Sequence, residues 1–179
     1  MNCTSCNQGT LQPAYLDALF PCQTCNHCGG NLVFLSDYLR WVNSEPSAPV
    51  VSDIEVAATE TEKAMLCPQT KTLMLKYRIS HKLEHKLDLS PAINAIWLDK
   101  GEWELLKQEG LAFELNAIFT DSWQKKIRQA KTQETLEGLY DKTFGEHYPA
   151  IKAFKAQLDT FDNKAEVIAY LLADDPYKI

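Results

Sequence analysis

Hydrophobic and polar positions change rhythm near the middle of the chain. Before residue 99 the apolar runs are short. Leu11 to Phe20, with Pro13 and a Leu-Asp-Ala-Leu alternation, fits an edge strand and a turn, and Asn31-Leu-Val-Phe-Leu35 is a short apolar strand. Ser36 is placed to cap a short helix over Asp37–Val42, with Tyr38 and Trp41 three apart on one face, where they close a small core. Leu73–Ile79 and His85–Leu89 alternate with the period of half-buried strands. From Asp99 onward the period becomes helical. Asp99 and Glu102 have capping-box spacing, and the helix they open continues or restarts after Gly110 through Leu111 to Ile118. Thr120 or Asp121 caps a helix carrying Trp123, Ile127 and Ala130; Leu136 to Phe144 makes another, closed by Gly145. Tyr148, Ile151, Phe154 and Leu158 mark a fourth, and Asn163 opens a last one that Pro176 stops. Val167–Ala173, the longest apolar run, reads as a core helix face.

The cysteines change this picture from small strands to a metal-held module. Cys3-Thr-Ser-Cys6 and Cys25-Asn-His-Cys28-Gly29-Gly30 are two Cys-x-x-Cys pairs eighteen residues apart. That is the spacing of a four-thiolate zinc site. Each pair folds as a tight knuckle, the chain between them runs out and back as a hairpin, and the glycines after Cys28 relieve the turn. The spacing predicts one structural zinc held by Cys3, Cys6, Cys25 and Cys28. Disulfides are the alternative in a secreted chain; a thioredoxin-like redox pair lacks its βαβ context. Cys22-Gln-Thr-Cys25 is also a Cys-x-x-Cys, so Cys22 competes with Cys25 or Cys28 as a ligand; the Gly-Gly favours Cys25 and Cys28. His27, inside the knuckle, is expected to face solvent.

An offset of 64 to 65 residues lays a second copy of this frame over the chain. Cys67 falls on Cys3, Thr70 on Cys6, Ser90 on Cys25 and Ile93 on Cys28. One thiolate remains of four. His81 and His85 lie too far along the arm to complete a mixed site with Cys67. Packing of Ile93, Ile96 and Trp97 is expected to replace the metal, at roughly 1.5–3 kcal/mol per buried side chain against roughly 10–16 kcal/mol for a structural zinc. The second module therefore needs its neighbours to fold, and the two are expected to pack together as pseudo-symmetric halves. The organisation read from the sequence is α+β: a zinc ribbon over 1–43, a Pro-, Ser- and acid-rich linker over 44–63 with an extended piece at Val50–Val56, a metal-free ribbon-like module over 64–107, and an all-helical region over 108–179.

Composition narrows the partners. The 179 residues are 45% hydrophobic and 23% charged, with net charge −6. The charge is −2 over 1–45, zero over 46–100 and −4 over 101–179, so no segment has the basic excess that phosphate binding relies on. Lys71, Lys76, Arg78, Lys82 and Lys86 read as a solvated sheet face. The chain starts Met-Asn-Cys with no basic or apolar leader, and no apolar run nears the roughly 20 residues of a membrane span; a cytoplasmic location, where zinc is favoured over disulfides, is expected.

Cys25-x-x-Cys28-Gly-Gly, Tyr38-x-x-Trp41, Cys67-Pro68 and Ile96-Trp-Leu-Asp-Lys-Gly-Glu-Trp-Glu104 resemble the bacterial TFIIB-type zinc-ribbon family, over roughly residues 3–43 and 66–107. The resemblance implies zinc at Cys3, Cys6, Cys25 and Cys28. It also implies a two-ribbon member whose second ribbon departs from the pattern at Thr70, Ser90 and Ile93. A saturated four-thiolate zinc leaves no position for water, and His147 has no nucleophile beside it, so no catalysis is expected. The functional expectation is a non-catalytic adaptor that binds another protein; nucleic-acid binding linked to transcription is the alternative, by family analogy.

Overall fold

The computed structural model describes residues 1–17, 19–44, 58–60 and 63–178. The fold is α+β. Six strands, β1 (Leu11–Tyr15), β2 (Pro21–Cys25), β3 (Asn31–Phe34), β4 (Leu75–Arg78), β5 (Lys86–Ser90) and β6 (Ala95–Leu98), form one antiparallel sheet in the order β1-β2-β3-β6-β5-β4. The helices are α1 (Leu35–Asn43), α2 (Glu102–Gln108), α3 (Leu115–Ile118), α4 (Asp121–Phe144), α5 (Tyr148–Leu158) and α6 (Lys164–Leu172), with a 3-10 turn over Gly145–His147. The chain divides into two compact units, Met1–Ala130 and Lys131–Ile179.

The sheet is two three-stranded hairpin arrays joined edge to edge. The join is β3 against β6, where Leu32 faces Trp97 and Val33 faces Ile96. Trp97 is the 65-residue counterpart of Leu32, so a pseudo-two-fold axis passes between these two residues. The outer strands repeat the relation. Leu11 lies opposite Cys25 in the first half, and the β4–β5 register carries Met74 opposite Ser90 in the second. The knuckle bond Cys3 N–H to Gly9 O has its counterpart in Cys67 N–H to Thr72 O, with the second loop one residue shorter.

Strand alternation sends successive side chains to opposite faces, and at the central strands β3 and β6 both faces are buried. Val33, Ile96 and Leu98 join Phe20, Tyr38, Trp41 and Trp103 in a core under α1, α2 and α3. Leu32, Ala95 and Trp97 join the cysteine knuckles, Met65 and Met74 on the other side. Tyr38 and Trp41 thus belong to a core that both halves share. Phe20 stacks on Trp41 at 4.9 Å and meets Trp103 edge-on at 5.1 Å, and Tyr38 Oη both donates to Ala112 O and accepts from Leu115 N–H. Trp103 Nε1 donates to Asp17 Oδ2 at 2.6 Å, tying α2 to the first hairpin.

Several local expectations need correction. α1 begins at Leu35 rather than after a Ser36 cap, because β3 runs straight into it and Leu35 N–H is already bound by Asn94 O of the other half. Glu102 does reach back, its Oε2 accepting from Asp99 N–H at 2.7 Å, but Gly101, at φ 87°, is the cap residue. The Asp99 carboxylate instead accepts from Trp97 Nε1 at 2.7 Å. Thr120 Oγ1 caps α4 by accepting from Trp123 N–H. The two helices expected over 121–144 are one helix of 24 residues, since nothing between Ala130 and Leu136 breaks it and Gly138 costs only about 1 kcal/mol. Val167–Ala173 is not a core face: no residue of α6 is buried. Most of the linker, including Val50–Val56, lies outside the described residues; at its end, Thr59 donates through N–H and Oγ1 to Lys100 O.

Candidate metal centre

The two knuckles meet at the base of the β1–β2 hairpin. Antiparallel pairing that sets Leu11 opposite Cys25 brings the chain before β1 beside the chain after β2. Backbone amides then turn inward. Gly9 N–H points at Cys6 Sγ at 3.4 Å and His27 N–H at Cys25 Sγ at 3.5 Å, while Gly29 N–H closes on Cys25 O and Cys25 N–H on Gly30 O.

The result is a closed set of sulfurs. All four ligand atoms of Cys3, Cys6, Cys25 and Cys28 lie within 4.8 Å of one another. Cys3 and Cys28 sulfurs are 3.8 Å apart, and those of Cys6 and Cys25 are 3.7 Å apart. A tetrahedral zinc with Zn–S bonds near 2.3 Å requires sulfur edges of about 3.8 Å. A disulfide needs about 2.05 Å, and all six cysteines are free. The donor set therefore fits one structural zinc and leaves no open coordination position. The electrostatics agree. Burial pushes the Cys3 thiol up to about 11 and the Cys28 thiol up as well, while the amides of Gln8 and Gly9 hold Cys6 down to about 6. Four enclosed thiolates need a cation to be stable together.

The strand also resolves the competing cysteine. Cys22 and Cys25 are three apart in β2 and so point to opposite faces. Cys22 packs in the helix-side core and approaches Thr24 Oγ1 and Asn31 Oδ1, away from the knuckles. His27 is exposed, as expected. The Gly-Gly pair serves two different purposes. Gly29 sits at φ +74°, the left-handed region expected of it. Gly30 has no such φ; a Cβ there would overlap Trp97 Cζ2 and come within 2.9 Å of Cε2. Its role is to let the indole of the other half lie on the knuckle backbone.

The corresponding place in the second half gathers the residues that the 64–65 offset selected. Cys67 is fully buried, and Ile93 packs against its cluster. Burial pushes the Cys67 thiol up, but the hydroxyls of Ser90 and Thr70 and the amides of Thr70 and Gln69 outweigh it and hold the thiol below its ordinary range. Ser90 Oγ is enclosed and has no conventional hydrogen-bond partner.

One cluster had no signal in the sequence. His85 Nε2 lies 2.5 Å from Glu102 Oε1, and its Nδ1 lies 3.7 Å from Glu60 Oε2. Asp99 adds a further nearby carboxylate, and Asp88 is paired with Lys76 at 2.8 Å. The Glu102 hydrogen bond raises the His85 pKa against desolvation, and burial pushes Glu102 up to about 7 despite His85. Both folded values exceed their unfolded ones, so the folded state holds more protons. The stabilisation is full below the unfolded carboxyl value of 4.5 and is lost as pH rises through about 7. Zinc-saturated wild type is expected to lose thermal stability relative to Glu102→Gln as pH rises from about 5 to about 7, the zinc contribution being common to both. Parallel melting curves would contradict this.

Residues 2–44 match the family model described as transcription factor zinc-finger, a zinc ribbon of the TFIIB type. The match contains all four clustered cysteines. No curated protein and no solved structure shows significant similarity to the chain. Among the described residues, no helix is long and apolar enough to cross a membrane.

Proposed function

We propose that this is a non-catalytic adaptor in which a Cys3/Cys6/Cys25/Cys28 zinc ribbon and a metal-free counterpart over 64–107 form one rigid sheet that docks a protein partner. The observation that carries the reading is the closed four-sulfur set, whose spacing fits a saturated structural ion with no seat for substrate or water. The basic residues of the second half support a protein partner over nucleic acid. Lys76 is paired with Asp88 and Arg78 with Glu84 at 2.7 Å, and the chain as a whole carries −6, so the basic residues make no concentrated patch for phosphates. We read the second half as a ribbon that kept its frame after Thr70, Ser90 and Ile93 replaced ligands.

The test is cross-linked capture with zinc-loaded full chain beside the Cys25→Ser variant. A protein recovered by the first and not by the second supports the adaptor. Recovery of nothing above background, or recovery that nuclease abolishes, overturns it. In the nuclease-sensitive case binding should fall steeply with salt and weaken in Lys76→Glu.

A further inference from the structure

The C-terminal unit, residues 131–179, is helical and nearly coreless. Among its described residues Leu158 alone is buried, while twelve large apolar side chains are 38% to 80% exposed. They are not scattered. Leu136, Tyr140 and Phe144 recur every four residues on α4, with Leu139 three after Leu136; Ile151 and Phe154 are three apart on α5, and Ile168 and Leu171 three apart on α6. What holds the unit together is thin: the Tyr140–Phe144–Tyr148 ring contacts, and surface ion pairs such as Lys152–Glu137. Exposed pairs contribute about 0–1 kcal/mol each. A unit this small rarely gains more than about 3–5 kcal/mol from a complete core, and here the core is one leucine.

We propose that residues 131–179 pair with a second copy of this chain through these apolar helix faces. The area fits that occupant. A full aromatic side chain offers about 150–250 Å², so twelve half-exposed apolar side chains leave on the order of 1,000 Å². A standard interface takes about 800 Å² from each partner, whereas an ordinary surface patch spans a few hundred. The charge pattern fits it too. Six lysines are interspersed with nine acids over 131–179, so two copies present both signs to each other. A strongly charged partner would find no block of opposite sign. A two-fold pairing also closes on itself and stops at two. The inference is independent of the zinc reading, which concerns residues 1–130.

The test is the solution mass of the full zinc-loaded chain by light scattering or sedimentation, beside Leu139→Glu with Leu171→Glu. Both leucines are about half exposed in a single chain, so the charges harm only a covered face. Wild type is expected at twice 20.3 kDa and the double variant at 20.3 kDa. Zinc content and tryptophan emission, which report on residues 1–130 alone, should stay unchanged. A wild-type chain that stays at 20.3 kDa up to roughly 100 µM overturns the proposal, since interfaces of this size bind at micromolar or tighter. So does a mass that climbs past two chains, a one-to-one complex with a different protein, or a double variant that still dimerises.

Discussion

In Cys25→Ser, bound zinc should fall from near one per chain to near zero, and the whole sheet of residues 1–130 should unfold with it. The magnitude follows from scale. A structural zinc contributes roughly 10–16 kcal/mol in finger peptides at neutral pH, whereas an entire domain is stable by roughly 5–15 kcal/mol. Cys25 is at a point where loss cannot be absorbed. It ends β2, its sulfur is 3.7 Å from that of Cys6, and it is 1% exposed. The loss should not stop at the first half. β3 is hydrogen-bonded to β6, and the Trp97 ring lies on the Gly30 backbone, so the second half loses its neighbour when the first opens. All four tryptophans lie in residues 1–130, which makes their emission the readout, with zinc measured on the same samples. Full emission and near-UV structure in a zinc-free variant would show that packing alone supports this unit.

Thr70→Cys, Ser90→Cys and Ile93→Cys combined should raise zinc content from one to two per chain. Cys67 supplies the fourth sulfur. Its backbone bond to Thr72 repeats that of Cys3 to Gly9, and Ile93 packs against its cluster. The register, Met74 opposite Ser90 as Leu11 is opposite Cys25, sets the second pair at the same depth as the first. Three buried or half-buried side chains are lost, but ligand binding at the scale of a finger site exceeds that cost. The gain should appear as a second equivalent of zinc and a higher melting temperature. Zinc that stays at one equivalent would mean the second frame does not converge as the first does, and that its likeness ends at strand order.

The zinc chemistry was legible before any coordinates, because metal geometry constrains spacing. Two knuckles across a hairpin leave few arrangements, and the sulfurs sit where Cys3, Cys6, Cys25 and Cys28 predicted. The choice between Cys22 and Cys25 was not legible from spacing alone; it needed the strand, whose alternation turns one inward and the other to the opposite core. The same holds for Gly30, whose reason is a side chain 67 residues away. The start of α1 was misjudged at Ser36 because a local capping signal competes with a partner from elsewhere in the chain, and the gap read between Ala130 and Leu136 is absent because nothing there breaks the helix. Asn94 O accepts from Leu35 N–H and fixes the start of α1 ahead of Ser36.

By itself the sequence determined the four cysteines that cluster and the switch from strand to helix near Asp99, since each is carried by the type and spacing of neighbouring residues. Only the tertiary structure decided that the two frames share one sheet through Leu32 and Trp97, that His85 meets Glu60 and Glu102, and that the apolar run at Val167–Ala173 is left uncovered. Those outcomes depend on which surfaces meet, and burial is a property of the assembled chain rather than of any stretch of it.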